Sequence, residues 1–385
     1  MKIAFISGIT GQDGAYLTAL LLGKGYRVFG GHRRSSSQSF WRLKELGVID
    51  HENLTMIEHD LTDLGSNIRA LTLAQPTEVY NLAAQSFVGV SFTTPTATAQ
   101  VSAVGALQLL EAVRIVNPKI RFYQASSAEM FGNAQVVPQD ENTTFCPRSP
   151  YAIAKLFAHW SAVNYRDSYG MFVCSGILFN HESPLRGTEF VTRKITQGAA
   201  RISLGQQSSV SLGYLDAKRD WGFAGEFVEG MWRMLQAETP DTYVLATGVT
   251  TKVRDFAALA FNAAGIHLHW IGEGSSEVGR CIKTGRDLVV IDSVHYRPAE
   301  VHCLTGSAAK AQKRLKWKTK IGVDDLCQRM VKADIDRERQ VLELGKGKLI
   351  QGIVSSSLSL PDGPQNTVIM SGLQRGETMN FSSPG

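Results

Sequence analysis

Lys2-Ile-Ala-Phe-Ile-Ser-Gly-Ile-Thr-Gly-Gln-Asp-Gly14 decides the fold of this chain. Residues 2–7 predict a buried parallel strand, and the apolar run from Ala15 to about Lys24, ended by Gly25, predicts a helix. The glycines between them allow a tight turn and let the backbone approach a pyrophosphate at the helix N-terminus. The spacing Gly-x-x-Gly-x-x-Gly differs from the Gly-x-Gly-x-x-Gly of typical dehydrogenases. Strand, glycine turn and helix together still indicate a dinucleotide-binding unit.

The second predicted strand, Tyr26 to Gly30, indicates which dinucleotide binds. NAD sites usually carry Asp or Glu about 20 residues past the glycines, to hold the ribose 2′-hydroxyl. This region offers Arg33 and Arg34 and no acid. A guanidinium pairs well with a 2′-phosphate, so the sequence predicts NADP rather than NAD.

Strands and helices alternate up to about residue 180, which predicts an α/β fold with a doubly wound parallel (Rossmann) sheet. Ligands of such sheets lie beyond the carboxyl ends of the strands. Polar or small residues follow the predicted strands there, so they should meet in one crevice. The further strands are 54–59, 78–82, 121–125 and 171–178, and long helices are predicted at 98–116 and 151–169.

Beyond residue 180 the pattern predicts a smaller C-terminal, substrate-binding lobe. Helices are expected at 193–204 and 223–236, and strands at 209–212 and 242–246. The predicted domains are 1–180 for the dinucleotide, with some later segments returning to it, and 181–343 mainly for the substrate. The tail 344–385, rich in Gly, Ser and polar residues, is predicted to be disordered.

Tyr151-Ala-Ile-Ala-Lys155 places a phenol and an ammonium one helical turn apart. A nearby cation favours phenolate, so the pKa of Tyr151 is expected to fall. Tyr151 is then a candidate acid/base for a sugar or alcohol hydroxyl. The pattern alone is weak, because many helices carry it by chance, but the glycine turn in the same chain strengthens it.

Ser127 and Glu129 follow the 121–125 strand and should reach the same crevice. Ser127 could bond a substrate hydroxyl, Tyr151 could take its proton, and Lys155 could hold the tyrosine oxygen and the cofactor ribose. Glu129 could remove a carbon-bound proton, which is acidic only beside a ketone, so its presence suggests oxidation followed by elimination. The alternative is that Glu129 simply caps a helix N-terminus.

Composition sets limits on the partners. The chain has 385 residues, a formal net charge of +5 and 43% hydrophobic residues. Without a lysine/arginine block it should not bind nucleic acid, and a mild positive charge suits an anionic substrate such as a nucleotide-sugar.

The cysteines favour a cytoplasmic location. The five cysteines are scattered, without Cys-x-x-Cys spacing, which favours reduced thiols. No metal site is expected, because His267 and His269 fit strand alternation better than a ligand pair. Lys2 leads directly into a core strand, so no signal peptide is expected, and no apolar run is expected to cross a membrane.

Several longer stretches carry a resemblance over about residues 3–340. The chain resembles the extended short-chain dehydrogenase/reductases, and among them the GDP-mannose 4,6-dehydratase family. The stretches that carry it, besides the glycine turn and the Tyr151 segment, are 79–86, 121–126, 148–152, 176–184, 190–195, 218–222 and 296–300.

The resemblance implies a redox-neutral dehydration of GDP-mannose to GDP-4-keto-6-deoxymannose. Tyr151 would deprotonate the 4-hydroxyl while hydride leaves C4 for NADP, and Glu129 would take the C5 proton. Water would leave from C6 and hydride would return there. The residues implied around NADP are Gly8, Thr10, Gly11, Gln12, Asp13, Gly14, Arg33, Arg34, Asp60, Leu61, Leu82, Ala83, Ala84, Ser86, Tyr151, Lys155, His181 and Arg186. Those implied around the GDP-sugar are Ser86, Asn180, Glu182, Lys194, Arg219, Arg297 and Glu300.

One residue departs from the family pattern. The position between Ser127 and Glu129 is often Ser in the family and Asp in related nucleotide-sugar dehydratases, where it is a candidate acid for the leaving C6 hydroxyl. Here it is Ala128, which can donate nothing. We expect Glu129 to carry the proton from C5 to C6; a water molecule or slow elimination are the alternatives.

The family also implies a homo-tetramer, with a dimer as the alternative, because its Arg33–Ser37 loop reaches a neighbouring subunit's cofactor. Four other functions stay open. They are a nucleotide-sugar 4-epimerase, which has no need for Glu129, a 4-keto-sugar reductase, the same dehydration of another GDP-sugar, and a cofactor-sensing regulator. The Tyr151–Lys155 pair argues against the regulator, since such proteins usually lack it.

Overall fold

The computed structural model describes residues 1–36, 39–296 and 298–356, with side chains described as far as residue 344. The chain divides into a large unit, Met1–Arg339, and a second unit, Gln340–Gly385. The strands are β1 (Ile3–Ser7), β2 (Arg27–His32), β3 (Leu54–Glu58), β4 (Glu78–Asn81), β5 (Arg121–Ser127), β6 (Val173–Leu178), β7 (Asn180–Glu182), β8 (Val210–Leu212), β9 (Lys218–Arg219), β10 (Trp221–Phe223), β11 (Thr242–Leu245), β12 (Thr251–Lys252), β13 (Leu268–Ile271), β14 (Val278–Cys281), β15 (Asp287–Ile291) and β16 (Cys303–Leu304).

The helices are α1 (Gln12–Gly23), α2 (Trp41–Glu45), α3 (Leu64–Ala74), α4 (Val88–Thr93), α5 (Pro95–Ala99), α6 (Gly105–Val116), α7 (Pro150–Tyr169), α8 (Val191–Ser203), α9 (Ala224–Gln236), α10 (Val253–Ala263), α11 (Ala309–Leu315) and α12 (Val323–Ser356). A π-helical stretch, Gln100–Val104, joins α5 to α6. Helix α1 begins before the expected Ala15, because Gly11 in extended conformation serves as its N-cap.

The large unit is built on a seven-stranded sheet in the order β11-β6-β5-β4-β1-β2-β3. All of its pairings are parallel. Strands β2 and β3 follow β1 on one side, and β4, β5 and β6 are added on the other side. The carboxyl ends of β1 and β4 therefore flank the switch point where such sheets bind ligands. The doubly wound parallel sheet is therefore confirmed. The expected strand 242–246 is β11, which returns from the later chain to the sheet edge beside β6.

Apolar side chains cover both faces of this sheet, as a buried parallel sheet requires. Phe5 and Phe122 pack in one core cluster with α3, α6 and α7. Tyr123 follows Phe122 in β5, and Tyr80 of β4 pairs with Tyr123 across the sheet. Both tyrosines face the opposite cluster, which includes residues of α1 and α9. This alternation follows the two-residue period of a strand.

Later segments of the large unit form a second, smaller sheet with its own apolar core. This four-stranded sheet has the order β13-β14-β15-β8. Val210 and Val289 of this sheet pack against Phe256 of α10, Ile195 of α8 and Met330 of α12, all fully or almost fully buried. Two short sheets, β10-β7 and β12-β9-β16, complete the set among the described residues.

Helical residues Pro95–Val116 are long and apolar enough to cross a membrane by length and composition alone. The expectation that no stretch has these properties is therefore wrong. Core helices pass the same test, and Leu109, Leu110 and Val113 are fully buried against the sheet.

The last helix reaches further than the sequence suggests. It continues to Ser356, past the expected start of the tail at residue 344. The remainder of that predicted tail, 357–385, lies outside the described residues.

Candidate active site

The glycine turn between β1 and α1 is as tight as its composition predicts. Gly8 has φ +73°, and a Cβ there would lie 2.8 Å from the Cα of Ala83. A Cβ at Gly14 would lie 2.6 Å from the carbonyl oxygen of Gly8. The turn thus brings the N-terminus of α1 close to the end of β4. Free backbone N–H groups at such a terminus suit a phosphate, so these residues fit a dinucleotide.

Two side chains of α1 connect the turn to the segment after β6. Gln12 Nε2 donates to the His181 carbonyl at 3.0 Å, and Ser183 Oγ donates to Gln12 Oε1 at 2.6 Å. Asp13 Oδ2 lies 2.8 Å from His181 Nε2. The two walls of the crevice are therefore joined by side-chain hydrogen bonds.

Tyr151 and Lys155 lie in the first turns of α7, on the cavity side. Ser149 caps this helix by accepting from the Ala152 N–H at 3.1 Å, and Pro150 takes the first helical position, which suits its missing N–H. Lys155 Nζ donates to the Ala125 carbonyl at 2.9 Å and lies 5.9 Å from the centre of the Tyr151 ring.

The expected fall in the pKa of Tyr151 is contradicted. Burial raises the pKa of Tyr151 to about 12, although a hydrogen bond from Ser127 opposes the rise. Burial also lowers the pKa of Lys155 to about 8. The cost of desolvating the phenolate exceeds the stabilisation from nearby cations here, and the burial that causes this cost is not visible in the sequence.

Ser127 and Glu129 are held where β5 ends. Ser127 Oγ accepts from the Glu129 N–H at 3.2 Å and begins a 3₁₀ turn, Ala128–Met130. Glu129 is 8% exposed. The N-cap of this turn is therefore Ser127, and not Glu129 as in the alternative interpretation. Ala128 is 2% exposed and packs with Phe131 and Ile177.

Several residues expected around the GDP-sugar contact one another or neighbouring side chains. Arg219 Nη2 donates to Glu300 Oε1 at 3.2 Å. Lys194 Nζ lies 2.8 Å from His295 Nε2. Glu182 accepts from Thr192 and pairs with Arg186, whose guanidinium stacks on Phe190 at 3.5 Å. Arg297 lies outside the described residues.

Most of the residues expected in the site line one cavity of about 540 Å³. It is lined by Asp13, Leu82, Ala84, Ser86, Ser127, Glu129, Tyr151, Lys155, Asn180, His181, Glu182, Arg186, Lys194, Arg219 and Glu300. Strand-end and helix positions from distant parts of the chain thus converge, as the sheet topology requires.

The other expected cofactor residues lie outside the cavity wall. Gly8, Thr10, Gly11, Gln12, Gly14 and Ala83 form or border the glycine turn. Arg33, Arg34 and Asp60 are exposed beyond the ends of β2 and β3, and Asp60 accepts from Thr62. The Leu61 side chain is buried in the core and its carbonyl accepts from Asn67 Nδ2.

Sequence reasoning missed part of the cavity wall. The missed residues include Phe87, Val88, Val90 and Phe92 around α4, and Phe190, Tyr214, His295 and Tyr296 from the later chain. Phe87 meets Phe190 edge to face at 5.6 Å between ring centres. The α4 residues directly follow Ser86, so extending the strand-end rule could have found them. The later residues carry no such signal.

The sheet, the glycine turn and the Tyr151–Lys155 pair define a short-chain dehydrogenase/reductase of the extended type. Solved structures with this fold include the dTDP-glucose 4,6-dehydratase of Bacillus anthracis in complex with NAD (TM-score 0.72, 18% identity, 88% of this chain and 98% of that one). Another is a protein called RMD from Pseudomonas aeruginosa complexed with NADPH (TM-score 0.67, 21% identity, 87% and 100% covered).

The chain belongs to the GDP-mannose 4,6-dehydratase family. The model of that family matches residues 5–330. The GDP-mannose 4,6-dehydratase of Sinorhizobium fredii is 52% identical over 87% of this chain and 97% of its own length. GDP-mannose 4,6 dehydratase 2 of Caenorhabditis elegans is 51% identical over 87% and 89%.

Proposed function

We propose that this enzyme converts GDP-D-mannose to GDP-4-keto-6-deoxy-D-mannose with loss of water and no net redox change. The observation that carries the proposal is the placement of Glu129 and Tyr151 on one cavity wall. Family membership supplies the substrate. An epimerase or a reductase needs the tyrosine alone, whereas a dehydratase needs a second group that removes a proton from carbon.

Four side chains would act on the protons at C4 and C5. Tyr151 takes the proton of the 4-hydroxyl while Ser127 bonds the same oxygen, and the charge of Lys155 favours the phenolate. When bound, NADP would supply the hydride chemistry, as acceptor from C4 and donor to C6. Glu129 takes the C5 proton, which the C4 ketone makes acidic.

The proton for the leaving hydroxyl at C6 needs a donor. Ala128 has none, and its side chain packs among apolar residues. Glu129 holds the C5 proton after the first transfer and lines the cavity. Glu129 therefore delivers that proton to the departing C6 oxygen, which balances the elimination without a further acid.

The cofactor is NADP in this proposal, held by the glycine turn and by Arg33 and Arg34. Related folds bind NADPH or NAD, so the class of cofactor follows from the fold. The choice of NADP is supported by the two exposed guanidinium groups beyond β2 and by the absence of an acid there. Hydrogen bonds from Thr62 lower the pKa of Asp60, beyond the neighbouring strand, and the nearby charge of Arg33 lowers it further.

The GDP-sugar would be bound from the later chain. Lys194 and Arg219 line the cavity and supply the cations that a diphosphate requires. Arg219 is 5% exposed and already paired with Glu300, so it is held in place before a ligand arrives.

We also propose a homo-tetramer in the cytoplasm. Helix α7 exposes Ile153, Phe157 and Trp160, by 58%, 46% and 54%. These residues share one helix face, and an apolar stripe of this kind suits contact with a second subunit. All five cysteines are free, which suits a reducing compartment.

Mass spectrometry of GDP-mannose after incubation with the enzyme and a trace of NADP tests the reaction. Loss of one water without net NADPH is the expected result. An unchanged mass with altered sugar configuration would instead establish an epimerase. Stoichiometric consumption of NADPH would establish a reductase.

A further inference from the structure

The loop 183–187, between β7 and α8, carries Arg186 into the cavity, and two arginines from other helices hold its backbone. Arg193 Nη1 donates to the carbonyls of Pro184 and Arg186, each at 2.8 Å. Arg42 Nε donates to the carbonyl between them, that of Leu185, at 2.6 Å. Three consecutive carbonyls of one loop, those of residues 184–186, thus each accept from a guanidinium group.

Arg42 differs from Arg193 because its second contact lies on the cofactor side. Its Nη1 donates to the carbonyl of Thr10, inside the glycine turn, at 3.0 Å. The guanidinium also stacks over Trp41, with 4.6 Å to the ring centre. One planar fork therefore joins the glycine turn to the loop of Arg186, a geometry that an ammonium cannot reproduce.

Arg193 is anchored separately. Asp334 of α12, 1% exposed, accepts from Arg193 Nε and Nη2 at 2.7–3.0 Å. The loop is therefore fixed on one side by a buried ion pair. Its other side is fixed by Arg42, whose partners are both backbone carbonyls.

We propose that Arg42 is a positioning residue that sets the glycine turn and the loop of Arg186 at a fixed separation. The dinucleotide would contact the glycine turn and Arg186, and the sugar nucleotide would contact Glu182 and Lys194, which flank this loop, so binding of both ligands depends on Arg42 together. This inference rests on the proposed function for the identity of the two ligands. Arg42 is absent from the cavity wall, so its effect would reach both ligands through the backbone it holds.

The test compares Arg42→Gln, Arg42→Lys and Lys44→Gln in the full-length enzyme. Lys44 is exposed on the same helix, so its substitution removes the same charge without touching either carbonyl. The readouts are the dissociation constant of NADP and of GDP, measured by calorimetry below the unfolding temperature, and KM and kcat for GDP-mannose.

Arg42→Gln and Arg42→Lys should both weaken NADP and GDP binding about tenfold, while Lys44→Gln stays within about twofold of the wild type. KM should rise more than kcat falls. Wild-type affinity in Arg42→Lys would overturn the proposal, because it would show that a positive charge at position 42 is sufficient without the two hydrogen bonds of the guanidinium group. Weakening of one ligand alone, or a lower melting temperature with both affinities intact, would also overturn it. The calorimetry measures binding without turnover. It therefore tests the role of Arg42 even if the enzyme does not dehydrate GDP-mannose.

Discussion

Both ring nitrogens of His181 lie within hydrogen-bonding distance of an oxygen, and one of these oxygens belongs to Asp13 in the first turn of α1. Nε2 lies 2.8 Å from Asp13 Oδ2, and Nδ1 lies 2.8 Å from the Phe179 carbonyl, which can only accept. The ring also stacks on Phe227 at 4.8 Å. An imidazolium satisfies both contacts, so an ion pair links the glycine turn to the far wall of the cavity.

This ion pair predicts a pH window of stability. Burial alone would lower the pKa of His181, but the charge and hydrogen bond of Asp13 outweigh it and raise that pKa above 6.5. Burial alone would raise the pKa of Asp13, and His181 brings it below 3.8. The raised pKa of His181 adds stability that is complete below 6.5 and lost as pH rises through the folded value. The lowered pKa of Asp13 adds stability that is complete above 3.8 and lost on acidification.

Asp13→Asn should therefore destabilise the fold by about 1–3 kcal/mol between pH 4 and 6.5, and by less at higher pH. Chemical denaturation at a series of pH values measures this difference. Asp167→Asn, at an exposed carboxylate, is the control. A difference that stays constant from pH 5 to 9 would contradict the ion pair.

Glu129→Gln should separate oxidation from elimination. The amide cannot accept the C5 proton, so turnover should fall about 10²–10⁴-fold. Tyr151, Ser127 and Lys155 are unchanged, so hydride should still leave C4 and the absorbance of the reduced cofactor should appear and persist. Rapid mixing followed by product analysis measures both. Normal product release would refute the role of Glu129, and Glu229→Gln, on the exposed side of α9, serves as control.

Ala128→Ser tests the path of the proton at C6. If Glu129 delivers it, the restored hydroxyl should change turnover less than about threefold. Ala128 lines the cavity, but it is 2% exposed and packs with Phe131 and Ile177, so stability should fall by about 1–3 kcal/mol if the new hydroxyl finds no partner. A rise in kcat above about tenfold would show instead that Ala128 leaves the enzyme without an acid it needs.

The periodicity of the sequence was sufficient to predict the parallel sheet. It also predicted that Ser127, Glu129, Tyr151 and Lys155 lie in one crevice, because the carboxyl ends of parallel strands meet at one edge of the sheet. It was insufficient for the pKa of Tyr151, which depends on how much of the phenol is buried. It also missed Arg42 and His295. Their partners, the Thr10 and Leu185 carbonyls and the Lys194 ammonium, come from distant segments, and no local pattern encodes such contacts.

The arginines beyond β2 should determine the choice of cofactor. The wild type should bind NADP more tightly than NAD, and the double variant Arg33→Ala/Arg34→Ala should lose about tenfold or more of that preference while NAD affinity changes little. The ratio of the two dissociation constants is the measurement. Arg27→Ala, at the opposite end of the same strand, is the matched control. Tighter binding of NAD by the wild type would refute the assignment.

Lys155 should set the alkaline limit of activity. Burial lowers the pKa of its ammonium to about 8, whereas the phenol of Tyr151, at about 12, is mainly protonated over the working range. Because the cation stabilises the phenolate fraction of Tyr151 that accepts the 4-hydroxyl proton, loss of the Lys155 proton should lower kcat/KM above about pH 8. Lys155→Arg keeps its charge throughout this range and should show a lower but flat profile from pH 7 to 9.5. An unchanged alkaline limb in that variant would assign the limit to a different group.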